Sequence, residues 1–145
     1  MENIIYLDNS ATTKPCATSV NKTIEALEKH WGNPSSLYQH GIEAETVMEN
    51  AREKTAELLG CRSDEIFFTS GGTEANNLCI RGAAERMKRR GNRIVTTSIE
   101  HPSVLNTCES LEALGFEIVK IKPESDGYID FEKVKSAIND KTILV

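Results

Sequence analysis

The sequence predicts an α/β fold, in which a largely parallel sheet carries helices on both faces. From residue 65 onward, short apolar runs alternate with longer stretches whose apolar residues recur every three or four positions. Strands that alternate with helices form parallel sheets, and their right-handed crossovers place helices on both faces. The chain has 145 residues, of which 27% are charged and 39% hydrophobic. These values are typical of one globular domain of ordinary size.

Two helices are predicted in the first 60 residues. The first begins near Pro15, because proline suits the first helical turn and apolar residues follow it at helical spacing. The second covers about residues 42–59 and ends at Gly60, a residue type that commonly closes helices. The stretch between them, residues 31–41, is rich in Gly, Pro, Ser and Asn and is predicted to be a loop.

In the remainder of the chain, predicted strands alternate with predicted helices. Proline opens one of the predicted helices and glycine follows it, which is the expected asymmetry of helix ends. In parallel sheets of this kind, ligands bind beyond the carboxyl ends of the strands. The predicted elements are strands at 65–69, 93–97, 116–121 and 142–145, and helices at 73–90, 102–114 and 131–139.

A glycine pair lies between the apolar residues 66–68 and a helical pattern. Gly71 and Gly72 allow the backbone to approach a ligand closely, and the free N–H groups of the following helix attract an anion. The hydroxyl of Thr73 adds a further donor. This pattern predicts a phosphate site at Gly72 and Thr73. The alternative is an ordinary strand-to-helix turn with Thr73 as its N-cap.

His101 follows the predicted strand at residues 93–97 and precedes a proline. An imidazole titrates near neutral pH, which suits acid–base chemistry. Parallel topology predicts that His101 lies on the same side of the sheet as Thr73. The alternative is a loop histidine that precedes a helix-starting proline.

Charge and composition argue against several classes of protein. The net charge of −5 argues against nucleic acid as a partner. The basic residues 86–90 are the exception, and we interpret them as favourable charge at a helix C-terminus rather than a binding patch. The N-terminus does not resemble a signal peptide, and no run approaches the roughly 20 apolar residues that span a bilayer. The four cysteines lack metal-site spacing, so we expect no metal and a cytoplasmic protein with reduced thiols.

Five segments together resemble a known family. They are YLDNSATT at residues 6–13, GNPSS at 32–36, GIEA at 41–44, FFTSGGTEANN at 67–77 and TTSIEHPSVL at 96–105. In this order and at these separations, they resemble the cysteine desulfurases. These are pyridoxal 5'-phosphate (PLP) enzymes of the class V aminotransferase group, which have the fold-type I scaffold. The resemblance covers about residues 6–145, and the predicted fold is therefore the N-terminal portion of that scaffold's large domain.

The resemblance implies roles for particular residues. It places Gly72 and Thr73 at the PLP phosphate, the same place that the glycine pattern predicts. It makes His101 both a cofactor-binding residue, stacked on the pyridine ring, and a catalytic residue that relays protons. One departure is Tyr38, where many relatives carry histidine, so a proton-transfer role at this position is in doubt.

The N-terminal segment matches the part of the family that folds over the substrate side of the cofactor. The matching residues are Asn9, Ala11 and Thr12. The alternative is a simple turn formed by Asp8 and Asn9. The resemblance divides the chain into an N-terminal segment, residues 1–14, which in the family packs near the small domain and active site, and an incomplete PLP-binding large domain, residues 15–145.

The resemblance also implies what the chain does not contain. The family's cofactor lysine, the acidic partner of the pyridine nitrogen, the sulfur-accepting cysteine and the substrate-binding arginine all lie beyond the position that matches Val145. We therefore expect the N-terminal part of an enzyme that is catalytically incomplete alone. Such a part leaves an apolar sheet edge. We expect it to be stable only as a homodimer or in association with the missing C-terminal part.

The complete enzyme would convert L-cysteine to L-alanine and hold the sulfur as a persulfide. That sulfur would serve iron–sulfur cluster or thio-cofactor synthesis, with an iron–sulfur scaffold or another sulfur-acceptor protein as partner. One alternative is a selenocysteine lyase or another class V aminotransferase-like lyase. An alternative from a different class is a non-catalytic fragment that acts as a binding or assembly module.

Overall fold

The computed structural model describes residues 5–145. The chain divides between Phe67 and Phe68 into two compact units, called here the N-terminal unit and the C-terminal unit. Residues 1–4, which belong to the predicted N-terminal segment 1–14, lie outside the described residues. The boundary predicted from the family at residue 14 remains a prediction. In the described part of the chain, no helix is both long and apolar enough to span a bilayer.

The N-terminal unit contains two α-helices and one turn of 3-10 helix. Helix α1 covers Ala17–Lys29, α2 covers Gln39–Leu59, and the 3-10 turn covers Ser63–Glu65. Gly60 closes α2 in the left-handed region, with φ of 67°, as its sequence position predicted. Helix α2 begins three residues before the predicted start, with Tyr38 as its N-cap.

The loop before α2 is held close to the helix. A Cβ on Gly41 would lie 2.3 Å from the carbonyl oxygen of Ser36. No other residue type fits there without moving the backbone, because real Cβ atoms do not approach other atoms so closely. The predicted loop thus folds back on the first turn of α2.

The strand predicted at residues 65–69 is wrong. Glu65 ends the 3-10 turn, and residues 66–69 form no helix or strand. A strand requires a neighbour for its backbone hydrogen bonds, and none of the three described strands pairs with this segment. Phe67 is accordingly 73% exposed. The local apolar pattern predicted a strand because it carries no information about a pairing partner.

The C-terminal unit has the predicted alternation of helices and strands. Proline begins α4, and Gly115 follows its end with φ of 92°. The observed bounds differ from the predicted ones by only a few residues. The elements are α3 (Gly72–Met87), β1 (Arg93–Thr97), α4 (Pro102–Glu112), β2 (Glu117–Ile121), α5 (Phe131–Ala137) and β3 (Thr142–Leu144).

The three described strands form one parallel sheet in the order β2-β1-β3. Arg93 pairs with Glu117 on one side and with Thr142 on the other, and an irregularity follows in the pairing with β3. The chain crosses β1 to β2 in one direction and β2 to β3 in the other. Right-handed crossovers therefore place α4 and α5 on opposite faces, and the predicted α/β class is confirmed.

Gly91 brings two backbones together at the start of this sheet. A Cβ at this position would lie 2.2 Å from the carbonyl oxygen of Lys141. That same oxygen accepts a hydrogen bond from the backbone N–H of Arg93, at 2.9 Å. Because Gly91 has no side chain, the backbone just before β1 can pack against the backbone just before β3.

The core of the C-terminal unit lies between the sheet and the helix pair α3 and α4. Ala84 of α3 is fully buried, and Leu111 of α4 is 1% exposed. Burial of these apolar side chains fixes the two helices against the sheet and against each other. The core residues are Ala84, Ile94, Cys108, Leu111, Phe116 and Ile143.

Candidate functional site

The first turn of α3 offers unused hydrogen-bond donors. Gly71 precedes the helix with extended backbone, φ 162° and ψ −179°, and Gly72 begins it. The first amide bonded back to Gly71 is that of Ala75, at 3.1 Å. Within residues 5–145, nothing accepts a hydrogen bond from the amides of Gly72, Thr73 or Glu74. Such amides at the positive end of the helix dipole form an anion site.

The helix therefore begins as the phosphate-site interpretation predicted. Thr73 lies in the first turn, and the N-cap is Gly71, so the alternative with Thr73 as N-cap is wrong. An added Cβ at Gly71 or Gly72 would meet open space. The backbone at this turn is thus uncovered, which leaves room for a ligand to approach its amides.

Glu74 places a negative charge in this turn but does not occupy its amides. The carboxylate accepts hydrogen bonds from the backbone N–H of Ser70 at 2.6 Å and from the Ser70 hydroxyl at 2.7 Å. These two bonds lower the pKa of Glu74, the backbone bond contributing most. Because the carboxylate lies against Ser70, the first-turn amides remain available.

His101 caps the neighbouring helix. It is the N-cap of α4, and its Nδ1 atom accepts a hydrogen bond from the backbone N–H of Ser103 at 3.1 Å. The Ser103 hydroxyl lies 2.8 Å from the same nitrogen. Pro102 occupies the first helical position, which needs no amide hydrogen. The histidine is thus fixed by the start of the helix that follows it.

One side-chain bond joins the two helix starts. Asn76 Nδ2 donates to Ser103 Oγ at 2.8 Å across 27 residues of sequence. A concavity of about 310 Å³ lies here, within the size range of small-molecule sites. Its lining residues come from the starts of both helices and are Gly72, Thr73, Asn76, His101 and Ser103. The structure therefore brings Gly72, Thr73 and His101 together, as parallel topology predicted.

Asn76 and Ser103 were missed by the sequence analysis. Asn76 follows Thr73 by three residues and so lies on the same helix face, a spacing that could have identified it. Ser103 is 7% exposed, and its partners become evident only when α3 and α4 are packed side by side. Both residues line the concavity, and they are hydrogen-bonded to each other.

A second hollow of about 320 Å³ is less suited to an anion. Its wall is mainly apolar, and its one charged side chain, Glu100, would repel a phosphate. Burial raises the pKa of the Cys108 thiol, which also lines it, so that thiol stays neutral. The lining residues are Cys79, Ile80, Ile94, Val95, Thr96, Glu100, Val104, Cys108, Leu144 and Val145.

The predicted substrate-side residues form a local turn in the N-terminal unit. The amide of Ala11 donates to the carbonyl of Asp8 at 3.2 Å. The hydroxyl of Tyr6 closes the turn by contacting the carbonyls of Asp8 and Thr12, at 2.8 and 3.0 Å. This is the turn that the alternative interpretation predicted, and the substrate-side role of Asn9, Ala11 and Thr12 remains a prediction.

Metal chemistry has no visible support in the described part of the chain. Across residues 5–145, no group of three or more His, Cys, Asp or Glu side chains is arranged to hold a metal ion. The donors that converge are the backbone amides of α3 and the imidazole of His101. This donor set suits an anionic organic ligand.

Comparison with known proteins identifies the family of this chain. The sequence profile of the family described as aminotransferase class-V matches residues 5–145. The chain belongs to this family. Among class-V relatives, cysteine desulfurase IscS of Dictyoglomus turgidum is 43% identical over 146 residues, which include the whole chain and 37% of the relative. The resemblance to cysteine desulfurases is thus confirmed.

Solved structures of similar proteins have the same fold. A NifS-like protein aligns with 95% of this chain at 38% identity and a TM-score of 0.85, over 38% of its own length. SspA in complex with cysteine aligns with 94% of the chain at 34% identity and a TM-score of 0.81, over 40% of its length. The chain therefore spans less than half the length of these relatives and has the fold of their matching part.

Proposed function

We propose that the concavity between α3 and α4 holds the phosphate end of PLP, as part of a cysteine desulfurase. The observation that carries this proposal is the convergence of two helix starts on one small-molecule-sized hollow. One start offers amides without acceptors among the described residues, and the other offers an imidazole. Two positive helix ends beside one hollow favour an anionic ligand.

The residues present fit the phosphate group. The amides of Gly72, Thr73 and Glu74 are three donors that point along one helix end, where a phosphate is commonly bound. The hydroxyl of Thr73 makes no side-chain hydrogen bond within the described residues, so it is available as a fourth donor. A phosphate accepts hydrogen bonds from charged and neutral donors through three oxygens.

His101 fits the remainder of the cofactor. It lines the same hollow as Gly72 and Thr73, so a ligand held there by its phosphate extends toward the imidazole. A planar imidazole can stack on an aromatic ring and can exchange a proton at a ring nitrogen. We assign to His101 a stacking contact with the pyridine ring and a part in proton transfer.

The proposed reaction takes sulfur from L-cysteine and leaves L-alanine. PLP, when bound, supplies an electron sink for that bond cleavage. The names of the relatives support this substrate, since IscS is a cysteine desulfurase and SspA was solved with cysteine. We further propose that this 145-residue chain needs the remainder of the enzyme, in a cytoplasmic dimer with a sulfur-acceptor partner, to complete turnover. It spans only 37% of that IscS.

A proline substitution at the start of α3 tests the phosphate site. Gly72→Pro removes one amide donor but keeps the helix, because proline suits the first helical position and Gly71 is already extended. The probe is pyridoxamine 5'-phosphate, which lacks the aldehyde that attaches to lysines. We expect Gly72→Pro to weaken its binding by at least about tenfold, since a bond to a charged group is lost.

The control applies the same change to another helix. Ala17→Pro places proline at the first position of α1, after an extended residue, and should leave binding unchanged. Binding is followed by fluorescence titration, with pyridoxamine as the probe that lacks a phosphate, and circular dichroism checks the helices. Equal binding of pyridoxamine 5'-phosphate by the parent and Gly72→Pro would show that α3 does not hold the phosphate.

A further inference from the structure

Three residues form a continuous hydrogen-bond network between α3 and α4, called here the histidine network. Asn76 Nδ2 lies 2.8 Å from Ser103 Oγ, and Ser103 Oγ lies 2.8 Å from His101 Nδ1. The backbone N–H of Ser103 donates to the same Nδ1 atom at 3.1 Å. All three side chains line the concavity beside the first turn of α3.

The donor and acceptor of each bond in the histidine network follow from which atoms can donate. A side-chain NH₂ group and a backbone N–H can only donate, so Asn76 uses a lone pair of Ser103 Oγ and His101 Nδ1 is an acceptor. The Ser103 hydroxyl has one hydrogen, and Nδ1 is its acceptor in this geometry. A neutral imidazole carries one N–H. With Nδ1 occupied as an acceptor, that hydrogen is on Nε2.

The surroundings of the histidine network distinguish the two ring nitrogens of His101. Ser103 is 7% exposed and Asn76 is half-buried, which limits the access of water to the bond between them, whereas His101 itself is exposed. Nε2 of His101 makes no hydrogen bond to any of the residues 5–145, whereas Nδ1 faces two donors. The two nitrogens of this ring therefore have different partners and different tasks.

We propose that Asn76 and Ser103 are positioning residues that hold His101 as the neutral Nε2–H tautomer, so that the imidazole meets a bound ligand as a hydrogen-bond donor. That the ligand is PLP rests on the proposed function, but the tautomer does not. His101 becomes a base at Nε2 only as the other neutral tautomer, which forms when Nε2 releases its hydrogen to water and Nδ1 takes one from water. The two donors at Nδ1 oppose that step, because one of them must turn away and the helix cap is lost.

Exchanging donors for acceptors in the histidine network tests the proposal. Asn76→Asp keeps the shape of the side chain but replaces the donor with a carboxylate, which accepts the Ser103 hydroxyl hydrogen. Ser103 Oγ then presents a lone pair to Nδ1, which favours hydrogen on that nitrogen. The expected result is a rise of about tenfold in the ratio of Nδ1-protonated to unprotonated His101, the effect of about one hydrogen bond.

A neighbouring substitution controls for charge. Asn77→Asp adds the same charge at the next residue, whose amide group hydrogen-bonds, among residues 5–145, only to the carbonyl of Thr73 and the side chain of Arg81. The measurement is long-range ¹H–¹⁵N NMR of the histidine rings in the full 145-residue chain at neutral pH. In the parent we expect an unprotonated Nδ1 and a coupling across the N–H···N bond from Ser103. Nδ1 protonated in the parent, or equal shifts in the two variants, would overturn the proposal.

A second variant applies if Asn76→Asp does not fold. Ser103→Ala removes the hydroxyl and keeps the backbone donor, and the ring should move toward the tautomer mixture of free histidine. Unchanged His101 ring resonances in Ser103→Ala would also overturn the proposal. The two proposals can fail separately in the parent chain. If the parent does not bind pyridoxamine 5'-phosphate but His101 is the Nε2–H tautomer, the cofactor site is refuted. If the parent binds it but His101 is a mixture of tautomers, the positioning role is refuted.

Discussion

The side chain of Glu74, at the start of α3, is held away from the proposed anion site by its bonds to Ser70. Glu74 lies in the turn whose amides we assign to phosphate, where a free carboxylate would compete for them. Its two bonds to Ser70 hold it away from those amides. In the proposed site, the neutral Ser70 therefore holds a nearby negative charge away from the amides.

The Glu74–Ser70 contact predicts a pH dependence. The pKa of Glu74 is lowered in the folded chain from its ordinary value of 4.5, so this contact stabilises the fold fully above that value. The contribution is lost as the pH falls through the lowered folded value. We expect the Ser70 amide resonance in NMR to titrate with a midpoint below 4.5.

A variant separates this contact from general acid effects. Glu74→Gln should abolish that titration of the Ser70 amide, while Glu53→Gln on the exposed side of α2 should leave it unchanged. A midpoint at or above 4.5 in the parent would contradict the shielding of the anion site by Ser70.

The helix pair α3 and α4 positions the site at the scale of secondary structure. Ala84 of α3 and Leu111 of α4 are both buried in the same core cluster. The starts of the two helices can be joined by Asn76 and Ser103 only because their bodies are packed in this way. Core packing therefore determines the geometry of the concavity.

Truncation of Leu111 tests this contribution. Leu111→Ala should lower the free energy of unfolding by about 2–5 kcal/mol, because it removes buried contacts and leaves a cavity. Leu114→Ala is the matched control, since Leu114 lies three residues later and is 65% exposed. Urea denaturation measures both variants. Similar losses in the two would mean that Leu111 is not part of the cooperative core.

The elements differ in how well the sequence predicted them. Strand β1 was predicted with its observed bounds, because its β-branched residues coincide with a real position between two partners. Residues 66–68 have a similar local pattern, but no described strand pairs with them. Local motifs predicted Gly72, Thr73 and His101, which line one hollow, as candidate site residues. The bond from Asn76 to Ser103 spans 27 residues and becomes evident only when the two helices are packed.

At the scale of the whole molecule, large apolar side chains are exposed in both units. Leu58 and Leu59 at the end of α2 are 85% and 69% exposed, and Phe131 of α5, in the C-terminal unit, is 65% exposed. Adjacent exposed apolar residues are typical of surfaces that other protein covers. The relatives are more than twice as long as this chain, which agrees with such a cover in a complete enzyme.

These surfaces predict that the chain associates. We expect analytical ultracentrifugation to show self-association that increases with concentration, because contact between apolar surfaces removes them from water. The double variant Leu58→Lys, Leu59→Lys should shift the equilibrium toward monomer. Glu53→Lys at an exposed position of the same helix raises the net charge by the same two units and controls for changed charge. A monomer at all concentrations in the parent would refute the association.

Gly91 has a consequence for mutational tolerance. Surface turns usually accept many residue types, and this one lies between a helix and a strand. Yet all other amino acids carry a Cβ, and here that atom would enter the Lys141 carbonyl. A saturation library at this codon should therefore retain almost only glycine, like a library at a core position, because a backbone rather than a side chain occupies the neighbouring space.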